Sequence, residues 1–267
     1  MLKKIAGQRI WTTEEGQGAP RLFLHCSLGQ SESLFSLAAA LPPARNLFFD
    51  LPGHGKSGPW QGEDLHKDVF DVAEALLQGP THVVGHSFGG TVALRLAVER
   101  PDLVSRLTMI DPVFFAAARR GAEDDADAHS AYKVASPAFV NAWEAGDMEA
   151  ASKAFLAQWG TGKPWDAMSQ TTRERIMGQI HLIAAAVPVL ENDAPGLLDR
   201  LDRVTCPVDL IEGGASDPVM SKIVTALAAD LPQARHHVIE GAGHMVAVTH
   251  PQEVAAAMAG RGAVISA

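Results

Sequence analysis

Short apolar runs alternate with longer mixed stretches over the first 111 residues. Arg21-Leu22-Phe23-Leu24-His25, Asn46-Leu47-Phe48-Phe49-Asp50, Thr81-His82-Val83-Val84-Gly85 and Arg106-Leu107-Thr108-Met109-Ile110-Asp111 each read as a strand. Near-continuous apolarity is what a strand shows when both of its faces are covered, as in a parallel sheet. Between these runs the pattern predicts helices over about Glu63 to Leu77 and Phe88 to Glu99, the second stopped before Pro101. Strands separated by helices of this length are βαβ units, so the chain is predicted to be α/β.

The rhythm breaks from Pro112 to about Arg200. This segment is Ala-rich and strand-poor, and it carries Phe139, Trp143, Phe155, Trp159 and Trp165. It reads as a helical insertion. The alternation resumes with a strand at Val208-Asp209-Leu210-Ile211-Glu212-Gly213, a helix from about Val219 to Ala228 and a strand from Arg235 to Glu240. A last helix begins near Pro251, where proline suits a first turn. The expected organisation is a discontinuous core, residues 1–111 and 201–267, carrying a helical cap at 112–200. The acidic run Glu123-Asp124-Asp125-Ala126-Asp127 is expected to be a solvated loop. No internal repeat is visible.

Composition narrows the class. The chain has 267 residues, enough for one sizeable domain or a domain with a large insertion. A formal net charge of -9 leaves no electrostatic footprint for nucleic acid or an anionic membrane, so neither is expected as a partner. Cys26 and Cys206 are the only cysteines, too few for a disulfide framework, and point to a reducing compartment. Near the N-terminus, Gln8, Arg9, Thr12 and Thr13 interrupt the apolar stretch of about 7–15 residues that a secretory signal needs. No apolar run approaches the roughly 20 residues that span a bilayer. The expected location is cytoplasmic.

The most informative chemistry lies in Gly85-His86-Ser87-Phe88-Gly89-Gly90, a G-x-S-x-G pattern placed between a predicted strand and a predicted helix. A turn this tight strains the backbone of the residue at its apex, and glycines on either side remove side chains that would collide there. The turn lifts the Ser87 oxygen out of the sheet and sets it at a helix N-terminus, which favours developing negative charge. Serine at its ordinary pKa is a weak nucleophile and needs a base, itself oriented by a carboxylate. Asp217, in Gly214-Ala215-Ser216-Asp217-Pro218, and His244, in Gly241-Ala242-Gly243-His244-Met245, follow successive strands and supply both. Carboxyl ends of neighbouring strands are where α/β sheets build sites. Asp111, at the end of its strand, is the rival to Asp217 for the acid.

Together Gly85–Gly90, Asp50-Leu51-Pro52-Gly53-His54-Gly55-Lys56-Ser57, the Gly-x-x-Asp at 214–217 and Gly241-Ala242-Gly243-His244 resemble the alpha/beta-hydrolase superfamily. The resemblance implies a mostly parallel central sheet flanked by helices, with the helical cap inserted after the sixth strand. It assigns nucleophile, acid and base to Ser87, Asp217 and His244. It also implies an oxyanion hole of two backbone N–H groups, one from Phe88 and one from His25-Cys26-Ser27-Leu28-Gly29. Ser27 is taken for the second, with Leu28 the neighbouring alternative. Cys26 stands where many relatives have glycine, and it reads as a packed thiol.

Other residues fall into supporting parts. His236 and His237 are adjacent on a strand and point to opposite faces, so they cannot chelate one metal, and no zinc-ligand spacing occurs elsewhere. Asp50 and His54 are expected to hold their loop by hydrogen bonds, and His86 to be a packed neighbour. The expected activity is hydrolysis of a carboxylic ester or lactone of a small to medium, partly apolar substrate through an acyl-enzyme on Ser87. No cofactor and no metal are required. One alternative is a carbon–carbon bond hydrolase, with Arg173, Arg175 and His181 holding the substrate's anionic group. Another is a slow-turnover ligand receptor on the same scaffold. The expected partner is a small-molecule substrate, with a homodimer left open.

Overall fold

A computed structural model describes residues 1–120, 133, 136–260 and 264–265; the acidic run Glu123–Asp127 lies outside them. The sheet has the order β1-β2-β4-β3-β5-β6-β7-β8-β9. Its strands are β1 Leu2–Ile5, β2 Gln8–Glu15, β3 Pro20–Leu24, β4 Arg45–Phe49, β5 Thr81–His86, β6 Val104–Ile110, β7 Val208–Gly213, β8 Ala234–Ile239 and β9 Val264–Ile265. From β4 to β8 every pairing is parallel, while β1, β2 and β9 add antiparallel edges. The apolar runs are the central strands: all of β7 is buried, and so is nearly all of β5.

The edge hairpin β1–β2 has no counterpart in the sequence reading. Ile5 pairs with Gln8 across a two-residue turn at Ala6 and Gly7, both with positive φ (46° and 82°). That is the conformation a tight hairpin demands. The usual asparagine or aspartate before the glycine is alanine here, and β2 buries only Ile10 fully, so the hydrophobic pattern is faint.

Helices cover both faces. Side chains alternate along each strand, so Leu22 and Leu24 of β3 join one core cluster and Phe23 the other, where it stacks on Phe48 at 4.8 Å. Helices α1 (Phe35–Ala40), α10 (Val246–Thr249) and α11 (Pro251–Met258) pack on the Phe23 face. On the opposite face lie α2 (Leu65–Leu76), α3 (Phe88–Glu99) and α9 (Pro218–Asp230).

Between β6 and β7 the described residues form helices and no strand. These are α4 (Phe115–Arg119), α5 (Pro137–Glu144), α6 (Met148–Trp159), α7 (Gln170–Gln179) and α8 (His181–Leu190). Helix α4 packs on α9, and α8 packs on α2, so the insertion is seated on the sheet's helical layer at both ends. The chain crosses from β4 back past β3 to β5, which makes the carboxyl ends of β3 and β5 a topological switch point, the place where open α/β sheets bind ligands. Among the described residues no helix is long and apolar enough to cross a membrane.

Candidate active site

Ser87 is the residue between β5 and α3, with φ 57° and ψ −121°. Its N–H donates to the Ile110 carbonyl at 2.9 Å and its carbonyl accepts from Gly90 N–H at 2.9 Å, so the backbone is pinned on both sides. A Cβ on Gly85 would collide with the Gly89 carbonyl, and one on Gly89 with the Leu24 carbonyl of β3. The glycines of the motif are therefore required by close backbone approach. A non-glycine residue at positive φ is a strained arrangement that persists only when its surroundings hold it.

His244 lies on the loop between β8 and α10. Its Nε2 is 2.9 Å from Ser87 Oγ and its Nδ1 is 2.8 Å from Asp111 Oδ2. Asp111 follows β6 with φ 45°, a second strained residue at the site. Its Oδ1 accepts from Gly213 N–H at 2.9 Å, and its Oδ2 accepts from Ser216 Oγ–H at 2.7 Å. Ser87, Asp111 and His244 are all buried.

The structure thus corrects the assignment of the acid. Both ring nitrogens of His244 are taken, one by Ser87 and the other by Asp111. Asp217 instead caps α9: its Oδ1 accepts from Val219 N–H at 3.1 Å, and its Oδ2 accepts from Gln158 Nε2–H of α6 at 3.1 Å. The loops after β6 and β7 leave the same edge of the sheet, so position alone admits either carboxylate. The distinguishing signal is local. Asp217 is followed by Pro218 at the first helical position, the signature of an N-cap. No helix starts directly after Asp111.

The neighbouring histidines are kept neutral. His86 Nε2 bonds the His244 carbonyl at 2.8 Å, which holds the loop of the base, and burial pushes its own pKa down to about 4. It therefore adds no positive charge beside His244. His25 Nε2 accepts from Leu51 N–H at 3.0 Å, and burial brings His25 down to about 4. Asp50 accepts from Ser31 N–H, Ser31 Oγ–H and Lys56 N–H, and His54 Nδ1 pairs with the Pro52 carbonyl, so these two side chains fasten the 50–57 loop. Cys26 is buried, and burial pushes its thiol up to about 11, far from a thiolate at neutral pH.

Phe88 is the first residue of α3, and the first N–H groups of a helix have no partner within it. Ser27 and Leu28 are the central residues of a turn closed by Gly29 N–H to the Cys26 carbonyl at 3.1 Å. Ser27 lines a small cavity together with Ser87 and His244. The rest of that wall is apolar: Val113, Phe155 and Trp159 of α6, and Ile183, Ala186 and Leu190 of α8. Trp159 stands edge-on to His244, ring centres 5.0 Å apart. None of Arg173, Arg175 and His181 lines this cavity. Arg173 pairs with Asp166 at 3.8 Å, Arg175 donates to the Leu28 carbonyl and Gln179, and His181 is exposed. Among the described residues no group of three His, Cys, Asp or Glu side chains could hold a metal ion.

A parallel sheet with a serine on a strained strand-to-helix turn, bonded in series to a histidine and an aspartate, defines a class of hydrolase. Residues 22–257 match the alpha/beta hydrolase family, and the chain belongs to it. It is an enzyme of the hydrolase class. Among curated relatives, (E)-2-((N-methylformamido)methylene)succinate hydrolase of Acinetobacter baylyi is 27% identical, over 92% of this chain and 90% of that protein. An esterase of Mycobacterium tuberculosis is 27% identical over 94% of this chain and 85% of its own length. Among solved structures, the enol-lactonase from Burkholderia xenovorans superposes with a TM-score of 0.74 at 18% identity, covering 98% of this chain and 99% of that one.

Proposed function

We propose that this chain hydrolyses a small carboxylic ester or lactone with an uncharged acyl part, through an acyl-enzyme on Ser87. The observation that carries the reading is the hydrogen-bonded series Ser87–His244–Asp111 opening on an apolar cavity. His244 Nε2 takes the proton from Ser87 Oγ as the oxygen attacks the acyl carbon, and Asp111 stabilises the imidazolium through Nδ1–H. The N–H groups of Phe88 and Ser27 stabilise the oxyanion. His244 then gives its proton to the departing alcohol. In the second half it takes a proton from water, which attacks the acyl carbon and releases the acid.

The cavity sets the substrate class. The cavity is small and its wall is largely apolar, as the walls of ligand pockets are. Its wall offers no cation, so an acyl group bearing a carboxylate would be buried unpaired, at a cost of several kcal/mol. That disfavours the carbon–carbon bond reading, because none of Arg173, Arg175 and His181, the residues it relies on, lines the cavity. The two free cysteines, one buried and one half-buried, support a reducing, cytoplasmic location.

The test is hydrolysis of p-nitrophenyl acetate, butyrate and octanoate by wild type and Ser87→Ala. Wild type is expected to cleave all three, with acetate or butyrate ahead of octanoate, and Ser87→Ala to lose nearly all activity. Activity retained in Ser87→Ala would overturn the assignment. Failure of wild type on every ester would favour a specialised substrate or a slow-turnover receptor.

A further inference from the structure

Leu28 occupies the third position of the turn Cys26–Gly29 with φ 59°, a place that turns of this kind reserve for glycine or asparagine. It is a buried, branched side chain in a conformation it does not favour. Something outside the turn must hold it. Its carbonyl accepts a hydrogen bond from Arg175 Nη1 at 2.8 Å, across 147 residues of sequence. Arg175 sits on α7, and the same nitrogen reaches Gln179 Oε1 at 2.9 Å. Gln179 Nε2 in turn donates to the Gly53 carbonyl at 3.0 Å.

This use of an arginine is unusual in energetic terms. The guanidinium is half-buried, and its hydrogen bonds among the described residues go to two neutral oxygens. Neutral acceptors offset the desolvation of a cation poorly, so packing stability is a weak reason for its position. What the bond does is geometric: it ties the helical insertion to the turn that presents Ser27 to the cavity.

We propose that Arg175 is a positioning residue, holding the Cys26–Gly29 turn in its strained form so that the Ser27 N–H meets the oxyanion only while α7 is seated. This rests on the serine-hydrolase reading above, in which that N–H is one of the oxyanion donors. Arg175 touches neither substrate nor the reacting atoms; it acts through Leu28.

The experiment compares kcat and KM for p-nitrophenyl butyrate in Arg175→Met, Arg175→Lys, Gln179→Glu, Leu28→Gly and the double variant Arg175→Met/Leu28→Gly. Loss of a whole oxyanion donor costs about 10²–10³ in kcat, so a misplaced one is expected to cost about 10–100-fold in Arg175→Met, with KM within about twofold. Arg175→Lys keeps one donor and recovers part of the loss. In the double variant glycine adopts the positive φ unaided, and kcat is expected to return to within about fivefold of wild type. Gln179→Glu keeps an acceptor for Arg175 but loses the bond to Gly53, and is expected to change kcat less than about threefold. Affinity for a trifluoromethyl ketone, which mimics the tetrahedral oxyanion, should fall in step with kcat.

A rise in KM at unchanged kcat would overturn the proposal and make Arg175 a clasp or a substrate contact. So would equal losses in Arg175→Met and Gln179→Glu. Ser87→Ala separates the two levels: if it stays active the underlying reading has failed, whereas an inert Ser87→Ala beside a wild-type-like Arg175→Met sinks only this inference.

Discussion

The two halves of the site are held in place by different means. Ser87, Asp111 and His244 stand at the ends of β5, β6 and β8, and backbone hydrogen bonds or close backbone approach fix each of them. Phe155, Trp159, Ile183, Ala186 and Leu190, which close the cavity above, are placed by the packing of α6 and α8. Chemistry tolerates errors of a fraction of an ångström, and backbone contacts in a sheet supply that precision. An acyl group needs only an apolar hollow of suitable size, which side chains can reshape without moving the triad. The comparison teaches that changes in the lower half should abolish folding or turnover, and changes in the upper half should retune the substrate.

Gly89→Ala should break the lower half by itself. Its Cβ would run into the Leu24 carbonyl, a backbone atom of a buried strand, so a loss of more than about 3 kcal/mol is expected, read from the urea midpoint. The cost should appear as loss of soluble, folded protein rather than as a shifted KM.

Acid comes next, and it too strikes the lower half. His25, His54, His66, His82 and His86 are held at about 3 to 4 by burial, against 6.5 in the unfolded chain. Their folded-state pKa values are depressed, so their contribution is fully present above pH 6.5. Between pH 6.5 and about 4 the unfolded chain binds protons that the native protein refuses. Stability should fall by about 1.4 kcal/mol per pH unit for each such histidine in that window. Urea unfolding at pH 7.0, 6.0 and 5.0 checks this. A flat midpoint would show that these side chains take up protons in the folded state.

The smallest effect belongs to the upper half. Ala186→Val narrows the cavity from α8, and the octanoate-to-butyrate ratio of kcat/KM should fall by about tenfold while acetate is cleaved much as before. Equal losses on all three esters would mean that the wall does not size the acyl group.

The same division governs what could be read without the structure. The strand leading to Ser87 announced itself as an apolar run, and the glycines around Ser87 marked a turn that only close backbone approach explains. The hairpin β1–β2 escaped because its turn, Ala6-Gly7, lacks the usual signature and its strands bury little. The acid was misassigned because Asp111 and Asp217 leave the same sheet edge. Asp217-Pro218 already spelled a helix cap, whereas what aims Asp111 at His244 is a positive φ and a bond from Gly213 N–H, neither visible in a string of residues. The aromatic richness of the insertion was legible. Which of its side chains face the cavity was not, because that depends on how α6 and α8 seat against a core far away in sequence. Arg175 drew attention as a cation for a substrate anion, yet its partner is the Leu28 carbonyl, and no sequence pattern joins the two.

The most direct test of the account is a comparison of kcat for p-nitrophenyl butyrate in Asp111→Asn and Asp217→Asn. Loss of the carboxylate that orients the base costs about 10⁴ in a comparable serine triad, so Asp111→Asn should fall by about 10³–10⁴. Asp217→Asn keeps a capping side chain and should stay within about threefold of wild type. The reverse ranking would contradict the central claim and return the role of the acid to Asp217.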